Sequence, residues 1–390
     1  MFRFSTAGES HGRGLVAWVS GLPAGVPIDP AFINRELRRR QGGYGRGGRM
    51  KIETDTAELL SGVRRSKSTG APIAMLIVNK DWENWTESLP VEEQESTAEK
   101  YRGLNPPRPG HADLAGSLKY NLHEARYILE RSSARESTAR VAAGALAKQL
   151  LTQFGIEVLS HVIAVGDVRI KGQPTWAQIS EVCAQNEINF NCTEPDVEQA
   201  MKKAVDDILR TGDTLGGIFE VVAHNVPPGI GTHINWDERL DGLLAQAVMS
   251  LQAVKAVEIG TGIENAQAVG SRVHDEIGYD REAARFTRPE NHAGGLEGGI
   301  SNGEDLIVRG YLKPISTLRR PLQSVHMETK EIVKAAYERS DVCVVPAAGV
   351  AAESMVALTL ARCFLEKFGG DSLEETRRNF DGYQAQLRAF

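Results

Sequence analysis

The chain has 390 residues, 41% hydrophobic and 25% charged, which is enough to bury a substantial core. Its formal charge is −6, from 45 Lys and Arg against 51 Asp and Glu, so a surface built for nucleic acid is disfavoured and any anion site must be local. Four cysteines (Cys183, Cys192, Cys343 and Cys363) show no CxxC spacing and no paired Cys/His cluster, which points to reduced thiols and no metal site. Met1 runs straight into "FRFSTAGESHG", without the basic and apolar regions of a signal peptide. The most apolar short run, "APIAMLIV" (Ala71 to Val78), is too short to cross a bilayer and reads as a buried strand. A cytoplasmic protein without a membrane partner is expected.

Leu15 to Leu22 reads as a strand, ended by "PAGVPID", and Pro30 to Arg40 as a helix stopped by the glycines after Gln41. There follows "RRRQGGYGRGGRM" (Arg38 to Met50), in which five arginines lie among five glycines with no acidic residue. Glycines let backbone N–H groups approach an anion, and arginine forks onto carboxylates and phosphates. One reading is an RGG-like arm for RNA. Such arms repeat and lie in disordered tails, whereas this segment occurs once between ordered elements, which favours a folded loop for one highly anionic small molecule. Farther along, Ser133 and Glu136 have the spacing of a capping box, opening a helix that Gly155 closes. Ile156 to Val168 reads as a strand, and Pro195 to Arg210, Asp237 to Val254 and Val350 to Phe368 as helices.

Several short motifs carry reactive groups. "GESHGRG" sets Ser10 and His11 between glycines, and "NPPRPGHADLAGSLKY" sets His111 at a helix start with Asp113 in the first turn. "ERSSARES" offers free N–H groups, hydroxyls and two arginines at a helix start, a seat for an anion. "HAGGLEGGISNGED" and "KPISTLRRP" pair a glycine-rich turn with a Lys/Ser/Thr cluster that could hold a cofactor phosphate, and "ERSDVCVVP" places Arg339 and Asp341 at the mouth of an apolar strand. Taken singly, each histidine and Asp341 has a packing or capping reading. The stretch "VEIGTGIENAQAVG" imitates a dinucleotide fingerprint, but Asn265 replaces its third glycine, and we reject it.

Setting "GESHGRGLVAWVSGLPAGV" over "GDTLGGIFEVVAHNVPPGI" without gaps aligns Gly8 with Gly212, Gly12 with Gly216, Pro23 with Pro227 and Gly25 with Gly229. Glu9 and Ser10 meet Asp213 and Thr214. This match points to an internal duplication with repeats starting near residues 8 and 212, so residues 1–390 are expected to form a single α+β domain of two related halves.

In this order, "GESHG", "RRRQGGYGRGGRM", "RPGHADLAGSLKY", "ERSSARES", "KPIST" and "RSDVCVVPAAGVAAES" closely resemble the chorismate synthase family, over almost the whole chain. The resemblance implies a β-α-β sandwich with pseudo-twofold symmetry, helices between antiparallel sheets, assembled as a homotetramer. It implies an anti 1,4-elimination of phosphate from 5-enolpyruvylshikimate-3-phosphate, giving chorismate for aromatic amino-acid biosynthesis. Reduced FMN is required without net redox change. NADPH would be the ultimate reductant, through a separate flavin reductase, because no large inserted domain is evident. By resemblance Ser10, Arg40, Arg46, Arg49, Arg135 and Arg339 hold the substrate. Ser132, Ser133, Ala134, Gln252, Ala253, Gly298, Lys313, Pro314, Ile315, Ser316 and Thr317 line the FMN, with Arg40, Arg46 and Arg339 also on the cofactor side. His111 would offset charge on the leaving phosphate, His11 would hold or protonate the reduced flavin near N1, and Asp341 would accept the ring proton from flavin N5.

Overall fold

Alternating apolar residues on short strands build two antiparallel sheets, which enclose a layer of helices in the computed structural model. It describes residues 1–46, 54–93, 103–185, 189–338 and 341–390; Arg49 and Arg339 lie outside them. The first sheet contains β1 (Arg3–Gly8), β2 (Gly14–Ser20), β3 (Glu58–Leu59) and β4 (Ile73–Val78), in the order β1-β2-β4-β3. Leu15, Ala17 and Val19 pair with Ile77, Met75 and Ile73, and all six are fully buried. The period of two turns Val16, Trp18, Leu76 and Val78 to the outer face, where Trp18 is 36% and Val78 54% exposed. The second sheet contains β5 (Glu157–Val165), β6 (Val168–Arg169), β7 (Gly217–His224), β8 (Val254–Ile259) and β9 (Leu306–Leu312), in the order β8-β9-β7-β5-β6.

The longer helices among the described residues are α1 (Pro30–Gln41), α2 (Asp113–Tyr120), α3 (Ala125–Ser132), α4 (Ser137–Thr152), α5 (Trp176–Cys183), α6 (Pro195–Thr211), α7 (Leu240–Met249), α8 (Val345–Phe368) and α9 (Leu373–Ala389). α4 packs along α8, with α4 against β2 and α8 against β5 and β7, so this pair is the filling of the sandwich and the fold is α+β. α8 is long and apolar enough to cross a membrane, but it is largely buried between the sheets, and that burial accounts for its composition.

Three local expectations differ from the structure. Ser133 caps only a 3₁₀ turn at Ala134–Glu136, and α4 begins at Ser137. The Glu136 carboxylate bonds Thr6, Arg140 and Gln252 instead of the helix start, because a cation four residues on outcompetes a backbone N–H. A capping box does form at Thr175 and Gln178, opening α5. The helix expected over 237–254 spans only Leu240–Met249, and Val254 already belongs to a strand; α8 starts at Val345, five residues earlier than its apolar pattern suggested, with Pro346 in the first turn.

Three successive arginines on α1 go three different ways, as a turn of about 100° per residue requires. Arg38 is exposed, Arg40 faces the cavity described below, and Arg39 enters the core. There Glu353, fully buried on α8, accepts Arg39 Nη1 and Nη2 at 2.7 Å each, the Ser160 N–H at 2.7 Å and its hydroxyl at 2.6 Å, and also Lys148. Glu36 accepts from Arg39 and, at 2.6 Å, from Lys148. Two carboxylates and two cations thus close a neutral cluster joining α1, α4, α8 and β5. Burial pushes the Glu36 carboxyl up, but Lys148 and Arg39 together hold it down at about 2.

The two aligned segments make the same turn. Gly25 and Gly229 have φ of +88° and +92°. The Val26 N–H donates to Ser68 Oγ at 2.9 Å, and Ser68 Oγ donates to the Pro23 carbonyl. In the second half the Ile230 N–H donates to Ser301 Oγ at 2.8 Å, and Ser301 Oγ donates to the Pro227 carbonyl. We propose that the halves are copies of one ancestral unit, a reading these matched bonds support.

Breaking the core cluster on one side should be costly. Glu353→Ala is expected to lower unfolding free energy by about 3–5 kcal/mol, because it leaves buried cations uncompensated, as measured by urea titration. Glu36 titrates lower when folded than its usual 4.5, so its contribution is complete above that pH and is lost as pH falls through about 2. The stability gap between the protein and Glu36→Gln should therefore shrink between pH 5 and pH 2.

Candidate active site

A cavity of about 690 Å³ lies where the α3–α4 junction, the start of α8 and the segments 251–253 and 313–317 converge. One wall is apolar: Val344, Ala347, Ala348 and Ala351 form a helical stripe of small side chains, continued by Leu129 and Leu251. The rest is cationic. Arg40, Arg46, Arg108, Arg135, Lys313 and Arg319 line it with His11 and His111, against Glu338 and Asp341 among the described residues.

Five of these six arginine and lysine side chains are mounted on a partner. Arg40 donates Nε to Ser137 Oγ and Nη2 to the Ala134 carbonyl, both at 2.9 Å. Arg46 pairs with Asp341 at 2.8 Å. The loop carrying Arg46 is folded through that residue: Tyr44 donates to Asp206 at 2.9 Å, and the Gly45 carbonyl accepts the Val342 N–H at 2.8 Å. Gly45 has φ of +84°, and a Cβ there would lie 3.0 Å from Val205 and 3.1 Å from Cys343, so glycine is required. Arg135 donates Nη1 to buried Asp55 at 2.6 Å and Nη2 to Asn79 Oδ1 at 2.8 Å. The same Asn79 donates its amide to the Glu9 and Gly12 carbonyls at 3.0 and 2.6 Å, tying Arg135 to the His11 loop.

Arg108 donates Nε and Nη2 to the two oxygens of Asp113, at 2.8 and 3.1 Å, and Nη1 to Thr317 at 3.1 Å. Asp113 is fully buried and lies 2.5 Å from His111 Nδ1. Burial raises its pKa, but hydrogen bonds from His111 and Arg108 outweigh that and hold the carboxyl well below its usual range. Lys313 donates to the Gly110 carbonyl; burial first, and then the nearby charge of Lys255, lowers its pKa. His11 Nδ1 lies 2.8 Å from Glu130 and its ring stacks on Trp85, with centroids 3.9 Å apart. Ser10 Oγ donates to Ser133 Oγ at 3.2 Å.

The cavity thus brings together His11, His111, Asp341, Ser10, Arg40, Arg46 and Arg135 with Ser132–Ala134, Gln252, Ala253 and Lys313–Thr317. Gly298 does not join them: it occupies the turn between the paired residues Leu296–Glu297 and Ile300–Ser301, and its closest side-chain neighbour is His233. Arg108, Asp55, Asn79, Glu130 and Trp85 were missed. Arg108 stands three residues before His111 in the same motif, and Glu130 opens "ERSSARES", whereas no local pattern marks Asp55, Asn79 or Trp85. The second half also serves this cavity, since Thr214, aligned with Ser10, donates to the Ile315 carbonyl at 2.8 Å and braces its wall.

Fold and site together define an α+β enzyme with a large cavity whose cationic lining suits a multiply anionic ligand beside an apolar surface. The family model for chorismate synthase matches residues 2–365. Proteins named chorismate synthase from Koribacter versatilis and Aquifex aeolicus are 65% and 50% identical, covering 100% of this chain and 100% and 98% of theirs. A crystal structure of chorismate synthase, 39% identical, superposes with a TM-score of 0.79 over 100% of this chain and 99% of its own. The chain belongs to the chorismate synthase family. It is accordingly a lyase of the shikimate pathway, which forms chorismate by eliminating phosphate from 5-enolpyruvylshikimate-3-phosphate.

Asn79→Ala should release both Arg135 and the His11 loop. Leaving these buried groups unsatisfied is expected to cost about 1–3 kcal/mol, read by urea titration, and to raise KM for the substrate.

Proposed function

We propose that this cavity holds reduced FMN and 5-enolpyruvylshikimate-3-phosphate together, with FMN along the α8 wall and the substrate among the arginines. The observation that carries this reading is a dense set of fixed cations facing a flat wall of small apolar side chains in one cavity. The donor set suits FMN: small apolar residues for its ring, and the hydroxyls of Ser132, Ser133, Ser316 and Thr317 with Lys313 for its polar tail. Reduced FMN, when bound, supplies electron density that eases departure of an allylic phosphate and takes it back, so that no net oxidation occurs.

The chain's own residues do the rest. Arg40, Arg46 and Arg135 neutralise the substrate's carboxylates and phosphate, with Arg49 and Arg339 assigned to the same task by family resemblance. His111 is oriented by the fully buried Asp113 carboxylate, 2.5 Å from its Nδ1, and stands beside the leaving phosphate. His11 holds a proton at the cofactor's edge. Asp341 is the final acceptor of the ring proton, and its ion pair with Arg46 at 2.8 Å holds it in position for that role. NADPH would serve as distant reductant through a separate flavin reductase. The apolar outer face of the first sheet, with Trp18 and Val78 exposed, supports association into a homotetramer. Four free thiols accord with the cytoplasm.

Asp341→Asn removes the base at nearly constant shape and weakens its pairing with Arg46. Anaerobic turnover should fall at least about 100-fold, while the substrate binds as tightly as before or more so and the melting temperature is retained. His111→Ala should also lose turnover, and Arg46→Lys should raise KM because lysine lacks the planar two-donor fork. A folded Asp341→Asn variant with normal turnover would remove Asp341 from the chemistry. Oxidised FMN should bind at least about fivefold more tightly with substrate present, and the reverse effect must be equal; equilibrium titrations of each ligand with and without the other measure this.

A further inference from the structure

One buried carboxylate at the site has no part in the scheme above. Glu130 lies on α3 with its side chain 1% exposed, and it grips His11 at two points. Its Oε2 accepts the His11 backbone N–H at 2.6 Å, and its Oε1 meets ring Nδ1 at 2.8 Å. The imidazole is stacked on Trp85, which is 4% exposed, at an interplanar angle of 28°. The Arg126 guanidinium lies 5.3 Å from the Trp85 ring centroid and 3.7 Å from Glu130. From the loop side, Asn79 fixes the carbonyls of Glu9 and Gly12, and the Ser10 N–H donates to the Glu130 backbone carbonyl at 2.9 Å. The ring is therefore held by its plane, its main chain and Nδ1.

An ionised carboxylate can only accept, so the nitrogen facing Glu130 must carry a proton in both charge states of the ring. This leaves Nε2 as the position where a proton can be given or taken. We propose that Glu130 is a positioning residue for the reaction: it fixes His11 as the Nδ1–H tautomer, so that Nε2 is the nitrogen that exchanges protons with the cavity. The tautomer is a property of the protein by itself; only its consequence for turnover rests on the role given to His11 above.

Glu130→Gln makes the test sharp. The amide oxygen takes the backbone N–H, and the amide NH2 then points a donor at Nδ1. Imidazole answers by moving its proton to Nε2, so the substitution should reverse the tautomer without removing the side chain. Long-range 1H–15N spectra of deuterated, 15N-histidine-labelled full-length protein read this directly, with His11 assigned from His11→Gln. We expect Nδ1–H in the parent and in Glu130→Asp, and Nε2–H in Glu130→Gln. Turnover should fall about 100-fold in Glu130→Gln with KM within about threefold, and Glu130→Asp should recover part of the loss. An Nε2–H parent, or an unchanged tautomer in a folded Glu130→Gln, overturns the proposal; should that variant not fold, the parent and Glu130→Asp spectra decide. A reversed tautomer with normal turnover overturns the positioning role if His11→Ala is inactive. If His11→Ala is fully active, the failure lies in the part assigned to His11, and the role of Glu130 falls with it.

Discussion

Cations cannot be gathered in a cavity unless something holds them there before the ligand arrives. At an effective dielectric near 20, two unit charges about 6 Å apart interact by about 3 kcal/mol, and six lining cations would add several such repulsions. The structure meets this constraint by placing carboxylates behind the wall. Asp55 stands behind Arg135, Asp113 behind Arg108 and His111, Glu130 behind His11, and Asp341 beside Arg46. Most of these acids are buried themselves, so they stay in place when an anionic ligand enters and supplies the front half of each pair. Preorganised charge of this kind carries no reorganisation cost when charge develops on a bound anion.

The sandwich exists to hold those mounts in register. α1 brings Arg40 to the cavity only because Arg39, one residue earlier, is locked to Glu353 and Glu36 in the core, which sets the helix's rotation. Asn79, at the end of β4, joins the first sheet to both the His11 loop and Arg135. Lining residues thus inherit their precision from the core, and the arginine–glycine segment is folded as far as Arg46 by Tyr44 and Gly45.

Much of the site was legible because its motifs are local. His11, His111 and the Lys313–Thr317 run lie on contiguous stretches, and the structure converges them on one cavity. What could not be read were the partners across long sequence gaps, such as Asp55 for Arg135 and Glu130 for His11, since spacing carries no information about which carboxylate a distant cation will meet. Ser133 and Glu136 show the converse failure. Their spacing fits a capping box, but Thr6, Arg140 and Ser10 offer competing partners that appear only once the chain is folded. Likewise α8 looks membrane-like by composition, and only its place between two sheets explains its apolarity.

The central claim is that the cavity eliminates phosphate with help from a flavin that is not consumed. The measurement that tests it most directly is an anaerobic reaction of the full-length protein with 5-enolpyruvylshikimate-3-phosphate and a limiting amount of dithionite-reduced FMN, following chorismate, phosphate and flavin absorbance together. The account predicts chorismate and phosphate in equal amounts, many turnovers for each FMN, and flavin still reduced when substrate is exhausted. Oxidation of the flavin in step with product would contradict it.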